Sequence, residues 1–337
     1  MIESSYALEE RNAAQAMTTE GEAHGGVPQA GFRTRVTRRR GAWRTAAGIA
    51  FVLSFGVVGL WHWPSIWAGL ERLQSADRRW LLLGALGAVT AWLSSALALQ
   101  GAVVEPLATR RLVLSQIAAS AANQILPSGL GASAVSLRFL RLQGISLPDA
   151  VAALTLKASA GGVARGALII GLGMAYPKAL RLPPMPSTWI LLALVGILVL
   201  GILLVQTALR RSAQRIMENI KAVHMMSVRA VALWGGSVAF VLCQASVLVT
   251  VALALDVHLN VAVVGLAAIT ASGAASLVPT PGGIGALDAA LAAALTLAGA
   301  SVGDAATVVI GYRLLTVWLP IAPQLVLLAV LLRRKVV

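Results

Sequence analysis

Charge is what this sequence has least of. Asp, Glu, Lys and Arg make up 12% of it, about half the share usual in a soluble domain. Acids are the scarcer sign, 13 against 27 Lys and Arg. The one cysteine, Cys243, lies inside an apolar run, which excludes a disulfide framework and a cysteine-based metal cluster. The four histidines (His24, His62, His224, His258) fall in the N-terminal tail or near segment ends. They offer neither a buried proton relay nor a metal site. No nucleotide-binding motif occurs, and no cofactor is expected.

What fills the chain instead is hydrocarbon. Hydrophobic residues make up 58% of it, with a mean hydropathy of +0.81, and they come in runs longer than the roughly 18 needed to span a bilayer. The net charge of +14 does not point to nucleic acid. The cations form no single basic face with interleaved aromatics; they sit between apolar segments, as in a polytopic membrane protein.

Residues 1–44 read as a disordered cytoplasmic tail ending in a basic juxtamembrane segment, Arg33 to Arg44. Apolar segments at 45–63, 80–104, 150–176, 188–209, 230–255 and 305–332 are each long enough to cross. Two more, 112–136 and 261–300, are broken by Pro127-Ser128-Gly129-Leu130-Gly131 and by Pro279-Thr280-Pro281-Gly282-Gly283-Ile284-Gly285. If both broken stretches are re-entrant hairpins, eighteen of the 27 basic residues fall on the side of the N-terminus and five on the other. That asymmetry places both termini, including the basic end 333–337, in the cytoplasm. The expected fold is therefore an all-α polytopic membrane domain over 45–332, with about six full transmembrane helices and two re-entrant helical hairpins.

The two hairpins resemble each other. Pro127 to Ala132 and Pro281 to Ala286 share P-x-G-[LI]-G-A, and Leu142-x-Gly144-x-Ser146-x-x-Asp149-Ala150 matches Leu297-x-Gly299-x-Ser301-x-x-Asp304-Ala305. Ser-x-x-Asp before an apolar run is a helix-start signal. Each unit, about 80–176 and 230–332, is a crossing helix, a broken hairpin, a capped start and another crossing helix. One extra crossing lies between them, so the second unit runs upside down, the pattern of many secondary transporters.

Pro/Gly breaks at membrane depth need cover from protein or water. Gly129, Gly131, Gly282, Gly283 and Gly285 let the backbone approach a ligand or let helices pack tightly. The helix after each break would present N–H groups to a phosphate. Asn123, Gln124 and Thr280 add polar lining. Lys157 lies about 12 Å into its helix from Asp149, and Arg313 about 13 Å into its own from Asp304. By the repeat alignment Lys157 corresponds to Tyr312. Arg165 lies two turns past Lys157 on roughly the same face. Asp288 is the clear membrane acid. Three embedded cations against one acid call for an anion, which a lipid phosphate would supply; the alternative is that Arg165 snorkels and Arg313 pairs with Asp288 for structure alone. Arg138 and Arg141, at the end of hairpin one, either gather anionic headgroups or fix topology.

Leu277 to Asp288 followed by Gly311-Tyr-Arg-Leu-Leu-Thr-Val-Trp-Leu-Pro320, with Asn123 to Gly131, Arg138 and Gly144, resembles the lysylphosphatidylglycerol synthase transmembrane-region family, or flippase-like proteins, over roughly 45–332. The family carries Glu where this chain has Ala132 and Asp288, and an acid–Arg stretch where it has Lys157 to Gly162. The soluble aminoacyl-transfer domain of bifunctional members is not expected. The resemblance implies a flippase or transporter of an anionic phospholipid or lipid-linked envelope precursor in the cell membrane. Two other readings are a non-transporting partner in an envelope-biosynthesis complex and a membrane enzyme acting on lipid phosphate. Membrane lipids with anionic headgroups are the expected partners, with a homo-oligomer or an envelope complex left open.

Overall fold

Helix-start and helix-stop residues divide the chain into helices of two lengths. The computed structural model describes residues 71, 74–126, 129–176, 227–276, 278, 280, 282–334 and 336–337. The tail and the expected crossings at 45–63 and 188–209 lie outside them. Among the described residues the long helices are α1 (Arg78–Ala102), α4 (Leu147–Ala175) and α5 (Ser227–Ala254). A fourth long span, Val302–Arg333, consists of α8 (Val302–Arg313), a π-helical turn (Leu314–Trp318) and α9 (Leu319–Arg333). All four are long and apolar enough to cross a membrane. Every regular element among the described residues is helical, and the protein is a multi-pass membrane protein.

The short helices form two hairpins, α2 (Thr109–Ile125) with α3 (Leu130–Leu142), and α6 (Val261–Ala275) with α7 (Ala286–Leu297). Their 12 to 17 residues reach about 18–26 Å, short of the ~30 Å hydrocarbon core. Gly129 (φ 73°) and its repeat equivalent Gly283 (φ 68°) are left-handed, a conformation that costs any other common residue. In hairpin one the arms close so tightly that a Cβ on Gly131 would stand 2.0 Å from the Ala122 carbonyl oxygen.

The expected helix starts are present at both places. Ser146 caps α4, its hydroxyl accepting from Asp149 N and bonding the Asp149 carboxylate. Ser301 caps α8 in the same way, with Asp304 Oδ2 at 2.7 Å.

Helices α1 and α5 run antiparallel along a seam of small residues. A Cβ on Gly101 would stand 2.2 Å from Leu233 N, and one on Gly236 2.6 Å from Ala98 N. Gly87 approaches Ser246, and Gly84 approaches Thr250. Number rises along one helix as it falls along the other. Small residues permit such backbone approach, which supplies dispersion that lipid cannot. Arg229, at the start of α5, donates to the Gln100 and Val103 carbonyls at the end of α1, where exposed carbonyls favour a cation. The leading helix of the second set therefore opposes that of the first.

Two apolar cores result, one around each hairpin. The first joins Leu99, Leu112, Phe139 and Leu140 with Ala153, Leu156 and Ala160 of α4. The second joins Val247, Leu248, Ile269, Leu291 and Val308. All four long spans reach both cores: α1 has Ala88 in the second and Leu99 in the first, and α5 has Leu233 in the first and Val247 in the second. Helix α4 leaves the first core at Ala160 and packs Leu168, Ile169 and Leu172 on the second. The α8–α9 span does the reverse, with Val308, Val309 and Tyr312 in the second core and Leu327, Leu328 and Leu331 in the first.

Candidate functional site

The tips of the two hairpins meet. A Cβ on Gly282 would stand 2.4 Å from Gln124 Oε1 and 3.3 Å from Gln124 Cα, so only glycine admits this contact. Around it, polar atoms are buried without a hydrogen-bond partner among the described residues: Asn123 Oδ1, Gln124 Oε1 and Thr280 Oγ1. Burying an unpaired amide or hydroxyl costs about 1–3 kcal/mol. Asn123 and Gln124 stand just before the first break and Thr280 within the second, so all three lie on the segments that carry the tips. Arg165 Nε is buried and unpartnered as well. Its Cδ lies 3.4 Å from where a Gly273 Cβ would stand, in the last turn of α6 leading into the second tip.

The three embedded cations do not have the same surroundings. Arg313 is 6% exposed and fully engaged. Its Nε donates to Asp288 Oδ1 at 2.5 Å, Nη1 to Gly282 O at 3.1 Å and Nη2 to Gly283 O at 2.8 Å. Asp288 Oδ2 accepts from Gly285 N at 2.9 Å. One guanidinium thus holds the glycine loop and the first turn of α7 in a single network. Its charge is already compensated, so Arg313 does not await an anion; of the two sequence readings the structural pairing is the one seen. At the N-terminus of α7 Asp288 already takes the Gly285 N–H, and the Leu287 N–H bonds the Gly283 carbonyl. A planar guanidinium suits three acceptors in different directions; an ammonium would not.

Lys157 is placed otherwise. Its Nζ donates to Gln116 Oε1 at 2.8 Å and Ser95 Oγ at 2.9 Å. The Ser95 hydroxyl donates in turn to Gln116 Oε1 at 2.9 Å. Gln116 Nε2 faces Ser136 Oγ and Ser115 Oγ, both at 3.4 Å. No ion pair among the described residues includes Lys157. The ammonium therefore has neutral oxygens and no counter-charge from the described protein. Ser95, Gln116 and Ser136 were not singled out from sequence, although Gln116 interrupts an otherwise apolar face of the broken stretch.

The remaining candidates divide in two. Tyr312 is buried and lies within electrostatic reach of Arg165, Arg313 and Asp288, so Tyr312, Arg313, Asp288, Gly282, Gly283 and Gly285 form one assembly with the tip of hairpin one. Arg138 does not join it. It lies exposed near the far end of α3, and Arg141 bonds the Ile145 carbonyl at 3.2 Å, closing the helix end. Gln324, buried at 2% exposure with an unpartnered Nε2, is a further polar group in the membrane region.

Lys157 and Arg165 without an ion pair among the described residues, a polar junction between two broken hairpins and antiparallel leading helices are the polar features of the described apolar helices. Compared with curated proteins, the chain finds no match. Residues 45–323 match the family described as the lysylphosphatidylglycerol synthase TM region. That match takes in α1 to α8, both hairpin tips and the embedded cations, and the chain belongs to that family.

Proposed function

We propose that this protein moves an anionic phospholipid, or a lipid-linked envelope precursor, across the cytoplasmic membrane, with both termini on the cytoplasmic side. The observation that carries the reading is the junction of the hairpin tips, where Asn123, Gln124 and Thr280 bury unpartnered polar atoms. The headgroup would fill that junction while its acyl chains stay in lipid. Lys157 and Arg165 would supply the counter-charge, and an uncompensated intramembrane cation is costly, at least ~2.5–3.5 kcal/mol on insertion scales. Family membership agrees with a lipid-related role. Asp288, held by Arg313 and Gly285, is poorly placed for acid–base work on a substrate, which weighs against an enzyme.

The test is movement of a fluorescent anionic lipid between leaflets of proteoliposomes, with Lys157→Ala and Arg165→Ala beside wild type. Loss of flipping in both supports the reading. Flipping at the wild-type rate in both removes the site, and no flipping by wild type removes the function. Stoichiometric co-purification of an envelope enzyme without lipid movement would support the non-transporting partner instead.

A further inference from the structure

Gly161 is the central residue of α4, which runs Leu147–Ala175. Lys157 and Arg165 stand four residues to either side of it, about 6 Å each way along the axis. Positions i, i+4 and i+8 share one face of a helix. A Cβ on Gly161 would meet nothing within 4 Å, and the same holds at Gly162 and Gly166. Among the described residues the glycine positions at the midpoint of this long helix are uncovered, and a cation flanks them on each side.

Those cations belong to different halves of the molecule. Lys157 is bonded to Ser95 of α1 and Gln116 of α2, beside the first core. Arg165 packs on Gly273 of α6, beside the second. Between them α4 passes from one core to the other, leaving the first at Ala160 and joining the second at Leu168. Neither Lys157 nor Arg165 takes part in an ion pair among the described residues, and Arg165 Nε is buried without a partner.

We propose that the Lys157–Gly161–Arg165 face of α4 is a groove that binds a phosphate-type anion and carries it past the membrane midpoint, from the lysine to the arginine. This rests on the transport reading and adds its path. An anion crossing hydrocarbon meets its highest barrier at the centre. Two fixed cations about 12 Å apart place a counter-charge on each side of that barrier, and the glycines leave room for the headgroup between them. The groove takes an anionic oxygen, whether from a lipid headgroup or from free phosphate.

The test uses the full chain in vesicles, with Cys243→Ser removing the one native thiol and Gly161→Cys placing a thiol in the groove. A negatively charged methanethiosulfonate reagent should label Gly161→Cys. Phosphatidylglycerol vesicles should slow labelling by about tenfold relative to phosphatidylcholine vesicles, and Lys157→Gln with Arg165→Gln should abolish the protection. Protection by millimolar inorganic phosphate in phosphatidylcholine vesicles would assign the groove to a soluble anion. Labelling that ignores lipid charge, or no labelling at all, overturns the groove. A second series, Gly161→Ala, →Leu and →Trp, should slow lipid flipping in order of side-chain size at unchanged thermal stability; a flat series overturns the path. Charge-dependent protection without flipping by wild type would keep the groove and sink the transport reading, whereas flipping without protection would do the reverse.

Discussion

Gln124 and Gly282 touch, and through that contact the two hairpins of the molecule meet at their tips. A methyl at Gly282 would overlap the Gln124 side chain and also occupy a left-handed backbone position (φ 59°). Gly282→Ala should therefore lower stability by about 1–3 kcal/mol and suppress lipid movement. Thermal unfolding of the detergent-solubilised protein, read alongside the flip assay, checks this. A fully stable and active Gly282→Ala protein would show that the tips do not need their close approach.

The unpartnered atoms at that junction make a different prediction. Gln124→Leu and Thr280→Val remove buried polar groups that have no partner in the protein. Each should leave the melting temperature unchanged or raise it, by about 1 kcal/mol at most, while flipping falls. A destabilised but active variant would mark these groups as ordinary structure.

Arg313 should behave as a structural clamp. Arg313→Met leaves Asp288, whose side chain is 31% exposed, and two loop carbonyls without their donor. The loss should be about 2 kcal/mol, at the low end for a broken buried pair because water reaches the acid. Arg313→Lys should not restore it, since one ammonium cannot meet the directions of Asp288, Gly282 and Gly283 together. Adding Asp288→Leu to Arg313→Met should recover part of the loss. The comparison is made by denaturation midpoints of these three variants and of Asp288→Leu alone, and additivity of the two substitutions would argue against coupling.

Two neighbouring glycines on α5 should respond in opposite senses. Gly236 faces the α1 backbone, and a Cβ there would stand 2.6 Å from Ala98 N; Gly236→Ala should cost about 1–3 kcal/mol. Gly235 has nothing within 4 Å, so Gly235→Ala should be neutral or stabilising by up to about 1 kcal/mol. Melting temperatures measured side by side suffice. Equal responses would contradict the antiparallel seam.

The helix ends were the most legible part of the sequence, because they depend on neighbours along the chain. The Ser-x-x-Asp starts at Ser146 and Ser301 and the Pro/Gly breaks near Gly129 and Gly283 put the described helices within about three residues of their expected bounds, except that α3 runs on to Leu142, six residues past the expected end of the first broken stretch at 136. Partnership was legible only as alternatives, the Arg313–Asp288 pair being one of two readings, because it depends on residues far apart in sequence. Nothing local shows that Arg313 reaches Asp288, Gly282 and Gly283 while Lys157 reaches only Gln116 and Ser95. The two cations look equivalent in the repeat and differ in chemistry. A glutamine or serine inside an apolar stretch was the available signal for the lysine's partners, since such groups in a membrane segment generally bond to something.

The crossing of α8–α9 from one core to the other has a consequence for biosynthesis. Leu327, Leu328 and Leu331 complete the packing around the hairpin formed by α2 and α3, yet they are made some two hundred residues later. The ribosome delivers the N-terminal half first, and that half must wait in the bilayer with one wall missing until the last span arrives. Assembly is therefore not sequential by halves, and a chain cut between them would leave two fragments that each need the other to close.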